Sequence, residues 1–211
     1  MTFPAGSSPP TIAVLDYGIG NLHSAQKAFE RVGADARLTA DPSVIRGADG
    51  VVLPGVGAFG PCMDALDATG LSAIAVEVIE AGVPFMGICV GMQLLYDGSE
   101  ESTGRAGLGV LAGTVRRLGD TVKRPQMQWN IVHPCEPEHR LFSALGPEPW
   151  MYFVHSYAPE ATDDVIAVCD YGGSVVAAAA RGRVWATQFH PEKSGRAGLR
   201  LLQNFVESLG D

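Results

Sequence analysis

Cys89 stands in an apolar run, "PFMGICVGMQLL" over residues 84–95, with Gly87 two residues before it and Gly91 two residues after. Glycine weakens strands and helices alike, so the pair marks a demand of the backbone rather than of packing. If "VPFMGI" is a buried strand and "VGMQLLYD" the helix that follows, Gly-x-Cys-x-Gly becomes a tight strand-to-helix turn. Such a turn lifts one nucleophilic side chain above the sheet edge, and its glycines let neighbouring backbone pass close. The plainer reading is a packed cysteine in a glycine-containing turn.

A strand running straight into a helix requires an α/β fold, and the rest of the chain agrees. "TIAVLD" (11–16) is a short apolar run suited to a buried strand, and "YGIGN" after it is a glycine-punctuated turn. Leu22, Ala25, Phe29 and Val32 recur at helical spacing, and Gly33 closes that helix. "ADARLT" and "GVVLP" give two further strands, and a helical stretch over 61–82 is interrupted at Gly70. This alternation predicts a parallel sheet with right-handed crossovers. The second half changes rhythm. "DVIAVCDYGGSVVAAAARGRVWATQFHPE" holds apolar runs separated by "YGG" and "RGR", which predicts antiparallel hairpins. Leu199, Leu202, Phe205 and Leu209 mark a last helix. The expectation is one α/β domain over 11–211 with a mixed sheet, preceded by a loose, proline-rich tail over 1–10.

A formal charge of −8 on 211 residues argues against nucleic acid or an anionic membrane as the main partner. The longest apolar stretch, 71–96, is broken by Glu77 and Glu80, so no membrane span is expected. The first lysine or arginine is Lys27, unlike the basic start of a secretory signal. Cys62, Cys89, Cys135 and Cys169 lie far apart with no CxxC, which suggests reduced thiols in the cytoplasm. Neither a metal nor a cofactor is expected.

A thiol at a helix start gains at most ~1 kcal/mol from the dipole, and an ordinary thiol near ~8.5 is only a few per cent ionised at neutral pH. An imidazole is therefore needed. "WATQFHPEKS" offers His190 and Glu192, two apart. The residue before a proline is held extended, and period-two alternation would point both side chains to one face. A carboxylate beside the ring fixes its tautomer, and the ring polarises the thiol. Alone, His-Pro-Glu reads as a surface turn capping a strand; with the turn at Cys89 it reads as a Cys–His–Glu triad. "LPGVGAFG" (53–60) could expose amides around Val56 and Gly57 which, with the Val90 N–H, would hold an oxyanion. The alternatives are a phosphate-binding loop or a plain tight turn, and the spacing does not match a Walker sequence.

Taken in order, "PGVGAFG", "GICVGMQLL" and "FHPEKS" resemble the class I, triad-type glutamine amidotransferases. "DYGIGNLHS" and "VHSY" (154–157) look like the glutaminase subunits of imidazole glycerol phosphate synthase, and the likeness runs from about residue 11 to the C-terminus. Met92 stands where glutaminases of other pathways commonly carry His. The resemblance implies a flavodoxin-like, three-layer α/β/α sandwich. It also implies hydrolysis of L-glutamine, and a heterodimer with a (β/α)8-barrel cyclase subunit that takes up the ammonia. By the same resemblance Gln93, one helical turn from Cys89, contacts substrate. Glu101 lies near its amino group, and His155, Ser156 and Tyr157 supply backbone contacts. Gly18, Gly20, Asn21, Trp129, Asn130, Tyr152 and Lys193 would line the barrel-facing surface. The chain departs from the family at Gln126 and Gln128, where His and Gly are usual, in a segment expected to face the partner. A glutaminase serving another pathway, such as pyridoxal phosphate synthesis, and a redox or stress-response relative with a cysteine in the same turn are the rival readings.

Overall fold

The computed structural model describes residues 8–210, so the first seven residues of the expected tail lie outside the described residues. The first half alternates strands and helices. In order come β1 (Thr11–Leu15), α1 (Leu22–Arg31), β2 (Asp35–Thr39), α2 (Pro42–Arg46), β3 (Gly50–Gly55), α3 (Phe59–Ala68), α4 (Leu71–Glu80), β4 (Phe85–Cys89) and α5 (Val90–Gln93). Gly70, left-handed at φ 73°, separates α3 from α4, as the interruption in the sequence suggests. The second half holds β5 (Gly98–Ser99), β6 (Thr114–Arg117), β7 (Gln126–Ile131), β8 (His133–Pro134), β9 (Trp150–His155) and β10 (Tyr157–Pro159). It ends with β11 (Val165–Asp170), β12 (Ser174–Arg181), β13 (Val184–Thr187) and α6 (Gly195–Glu207).

The main sheet has eight strands in the order β2-β1-β3-β4-β13-β12-β11-β8. Pairs from β2 to β13 are parallel, and those from β13 to β8 are antiparallel, β13-β12 and β12-β11 being hairpins. β3 and β4 are buried along their whole length, as strands covered on both faces must be. α1 and α6 meet through Phe29 and Phe205, whose rings cross edge to face at 6.1 Å. Each such ring withdrawn from water is worth ~1.5–3 kcal/mol. β10-β6-β5 and β7-β9 form two smaller sheets.

The parallel seam between β4 and β13 positions the site. Ile88 pairs with Thr187 in register, so the chain leaving β4 at Cys89 and the chain leaving β13 toward His190 emerge side by side. On the other flank Gly55 pairs with Cys89, which brings the loop after β3 to the same edge. Three segments far apart in sequence converge because their strands run the same way and end together.

The helix after Cys89 is shorter than its apolar pattern suggests. α5 makes one turn, and residues 94–97 continue as tight turns. The carbonyls that a longer helix would engage are taken by the loop above. Leu94 O accepts from the Leu108 amide, and Leu95 O from those of Val110 and Leu111, each at 2.8 Å. A single turn carries little dipole, so the helix contributes less to the thiol than the sequence implies.

Candidate active site

Cys89 has φ 56° and ψ −111°, a left-handed backbone at a non-glycine residue with its side chain at the sheet edge. The surrounding glycines meet a close approach. A Cβ on Gly91 would lie 1.8 Å from the Leu53 carbonyl oxygen, and one on Gly87 2.8 Å from the Gly91 carbonyl oxygen. The bend at Cys89 therefore depends on bare backbone on both sides, as the spacing suggests.

Cys89 opens onto a cavity of about 270 Å³. His190, Val90, Val56 and Gly57 share its wall, and so do Gln93, Glu101 and the run His155–Tyr157. Every residue expected to be catalytic, to hold the oxyanion or to touch substrate thus lines one cavity, except Glu192. Glu192 stands behind His190, with Oε1 2.7 Å from the ring Nδ1 and both side chains almost wholly shielded. Their shared orientation has a different origin from the strand alternation expected. His190 itself is extended (φ −100°, ψ 94°), but Pro191–Lys193 forms a 3-10 turn that brings the carboxylate back beneath the ring.

His190 is tied down from several directions. Its amide donates to the Tyr152 carbonyl at 2.9 Å. The Ser194 hydroxyl donates to the His190 carbonyl at 2.6 Å and accepts from the Tyr152 amide at 3.0 Å. With Nδ1 given to Glu192, Nε2 is the remaining ring nitrogen, and it is buried. Burial works against the charged ring, but hydrogen bonding and charge from Cys89 and Glu192 outweigh it, and His190 is raised to about 9. Those partners favour the imidazolium over the neutral ring. His155 behaves oppositely. Burial dominates and, with repulsion from His190, lowers it to about 4 against a raising hydrogen bond to Tyr157. Its neutral Nδ1–H donates to the Tyr157 carbonyl at 2.9 Å.

Gln93 is buried rather than an exposed helix polar group. Its Nε2 donates to the Tyr157 carbonyl at 2.9 Å and to Gln188 Oε1 at 3.0 Å. Gln188 Nε2 in turn reaches the Cys89 sulfur at 3.8 Å. Gln188 was not anticipated, although an amide inside the buried run from Thr187 to His190 was the available signal. Pro125 and Val154 also line the cavity without an earlier indication. Glu101 does two things at once, since it faces the cavity while Oε2 accepts from the Phe59 amide at the start of α3, at 2.8 Å.

The residues expected at a partner surface lie outside the cavity. Gly18 and Asn21 are exposed in the turn before α1, Gly20 is half-buried there, and Lys193 is exposed after His190. Tyr152 bridges the two regions, with its ring 6.1 Å from that of Trp129 and 6.5 Å from that of His190. Register on β7 and β9 puts Met127 and Trp129 on one face with Trp150 and Tyr152, and Met127, Trp129 and Trp150 are exposed. Alternation sends Gln126, Gln128 and Asn130 to the other face. Gln126 is fully buried, its Nε2 3.8 Å from the Cys169 sulfur, so its side chain does not face a partner. Asn130 donates to the Asp170 carbonyl at 2.9 Å.

Comparison with known proteins agrees with this geometry. Residues 13–209 match the family model described as glutamine amidotransferase class-I, and the chain belongs to that family of enzymes. It is 49% identical over 205 residues, 95% of this chain and 94% of the relative, to a Synechococcus elongatus protein. A Thermosynechococcus vestitus protein is 48% identical over 211 residues, covering 97% and 100%. Both bear the name imidazole glycerol phosphate synthase subunit HisH, and within its class the chain is a member of that subunit family. Among solved structures, PurLQS from Thermotoga maritima superposes with a TM-score of 0.76 at 19% identity, over 95% of this chain and 99% of that one. A protein described as glutamine amidotransferase gives 0.75 at 20% identity, over 95% and 99%. These two show that the fold is shared.

Proposed function

We propose that the chain hydrolyses L-glutamine to glutamate and ammonia, and that it hands the ammonia to a (β/α)8-barrel cyclase subunit. That partner would make imidazole glycerol phosphate and aminoimidazole carboxamide ribonucleotide in histidine biosynthesis, in the cytoplasm. The observation that carries the reading is the opening of Cys89 and His190 onto one cavity, with Glu192 bound to the far nitrogen of the ring.

In this mechanism the Cys89 thiolate attacks the side-chain carboxamide carbon of glutamine. The oxyanion so formed accepts from the Val90 amide and the amides around Val56 and Gly57. His190, as imidazolium, gives its Nε2 proton to the departing nitrogen, which leaves as ammonia and yields a glutamyl thioester. The neutral ring then takes a proton from water as it attacks the thioester. Sulfur departs as thiolate, glutamate is released, and the imidazolium is restored. Glu192 holds the ring throughout and stabilises its charge. Gln93, Glu101 and the His155–Tyr157 backbone would bind the substrate. The exposed aromatic face of β7 and β9, with Gly18, Gly20, Asn21 and Lys193, would meet the barrel subunit.

Cys89→Ala tests the chemistry. Glutamine-dependent turnover by the two-subunit complex should vanish while turnover with added ammonium salt persists. Loss of both together would assign Cys89 to folding or docking. A glutamine-like electrophile should add mass at Cys89 and at none of Cys62, Cys135 or Cys169.

A further inference from the structure

α3 begins without a cap of its own. Ala58, at its N-cap, has no side-chain acceptor, so the first helical amides must find partners elsewhere. Pro61 has no N–H to satisfy, and the Cys62 amide already donates to the Ala58 carbonyl at 3.2 Å. That leaves Phe59 and Gly60, both buried. Their partners come from 42 residues further along the chain. The Phe59 amide donates to Glu101 Oε2 at 2.8 Å, and the Gly60 amide to the Ser102 hydroxyl at 3.0 Å. Two neighbours on one 3-10 turn, Glu100–Ser102, thus cap two neighbours on α3.

The contact is close. A Cβ on Gly60 would lie 2.6 Å from the Ser102 oxygen and 3.1 Å from its Cβ, so the turn is seated where α3 lacks a side chain. Within the turn, the buried Ser99 hydroxyl accepts from the Glu101 amide at 3.1 Å. Glu100 ties the turn to β6 instead, accepting from the Arg116 side chain at 2.9 Å and the Arg117 amide at 3.0 Å. The attachment to α3 rests on Glu101 and Ser102. Glu101 lines the cavity and Ser102 does not. A carboxylate that also meets a substrate ammonium is drawn two ways. The Ser102 bond, one residue on and outside the cavity, has no such competitor.

We propose that Ser102 is a positioning residue: its hydroxyl seats the 99–102 turn on α3, so that the Glu101 carboxylate keeps a fixed place in the cavity wall and favours substrates with a free amino group. The effect on turnover rests on the glutaminase reading, in which Glu101 lies near that amino group. The seating of the turn does not.

The full-length chain bound to its barrel subunit is assayed as wild type, Ser102→Ala and Gly60→Ala, with two substrates. One is glutamine; the other is glutaric acid monoamide, which has the same carboxamide and no amino group. Losing a hydrogen bond to a charged group outright costs roughly ten-fold or more in binding, so a carboxylate loosened but present should raise KM for glutamine about five-fold in Ser102→Ala. The kcat should stay within about two-fold, because the amino group is bound alike before and during reaction. Gly60→Ala, whose methyl displaces the Ser102 hydroxyl, should raise KM in the same direction. Turnover of the monoamide should match wild type in Ser102→Ala. In a Glu101→Gln background, Ser102→Ala should add about two-fold or less, since both act through one group.

A wild-type KM for glutamine in Ser102→Ala, equal losses on the two substrates, or a full additional loss beside Glu101→Gln overturns the proposal. Amide hydrogen exchange gives an arm independent of turnover. The Phe59 amide is bonded to Glu101 and not to Ser102, so its exchange should quicken in Ser102→Ala only if Glu101 lets go. An unchanged rate at Phe59 ends the proposal. A wild-type complex that leaves glutamine intact would end the glutaminase reading, and exchange at Phe59 would still decide the seating of the turn.

Discussion

His190 Nδ1 lies 2.7 Å from Glu192 Oε1 although the two residues straddle a proline and sit in a 3-10 turn. The turn shortens the distance that a strand would have imposed and buries the carboxylate against a ring it can only stabilise if that ring is charged. Burial alone would keep His190 neutral; Cys89 and Glu192 together reverse that.

Glu192→Gln removes one of the two influences that raise His190 and leaves the burial that lowers it. The ring should therefore titrate well below about 9 in the variant, as followed by its NMR resonances against pH. The sign for stability follows from linkage. A pKa raised in the folded state stabilises fully below the unfolded value near ~6.5 and loses that contribution as pH rises through the folded one. The wild type should thus exceed the variant in melting temperature most at mildly acidic pH. The gap should narrow as pH rises toward and past about 9. A gap that widened with pH would contradict the pairing.

Gln188→Leu breaks the relay from Tyr157 O through Gln93 and Gln188 to the Cys89 sulfur. Gln93 keeps one acceptor and loses the other inside a buried site, which costs ~1–3 kcal/mol of stability by denaturant titration. Alkylation of Cys89 should also slow, because the sulfur loses its amide donor. Unchanged stability with unchanged alkylation would mean that a water replaces the amide.

Much of this was legible from local pattern. Cys89, Gly87 and Gly91 announce a bend because glycine has no other reason to flank a buried thiol. The full-length burial of β3 and β4 follows from their unbroken apolar runs. The length of α5 was hidden because its limit is imposed by residues 108–111, whose amides occupy the carbonyls it would need. The turn at Pro191–Lys193 was hidden because proline fixes the residue before it more firmly than those after it. Gln188 was missed because its partners are fixed by the β4–β13 seam and by Tyr157, neither of which a one-dimensional pattern displays.

Gly91→Ala would place a methyl 1.8 Å from the Leu53 carbonyl oxygen and 2.8 Å from its carbon, both backbone atoms of a buried strand. Overpacking a core commonly costs ~1–3 kcal/mol, and here neither side can rotate away. The variant should be recovered poorly or melt far below the wild type, with β3 and β4 displaced and Cys89 no longer reactive. A stable variant with full alkylation at Cys89 would show that the elbow tolerates a wider approach between β3 and α5.

Trp129 tests the partner surface. It is 47% exposed beside Met127 at 62% and Trp150 at 53%, an aromatic cluster of the kind that carries association energy when covered. Its ring lies 6.1 Å from that of Tyr152, which lies 6.5 Å from that of His190, so a subunit seated there would press on the ring proposed to move protons. Trp129→Ala should weaken binding of the barrel subunit by about 2 kcal/mol or more, roughly thirty-fold in Kd. Because the side chain is half in water, the circular dichroism spectrum should stay that of the wild type. Calorimetric titration of the barrel subunit into each form separates the outcomes. Equal affinity would place the interface elsewhere and leave the Tyr152 contact without a role in coupling, whereas a loss confined to Trp129 and Trp150 variants would trace the docking face directly onto the β7–β9 pair.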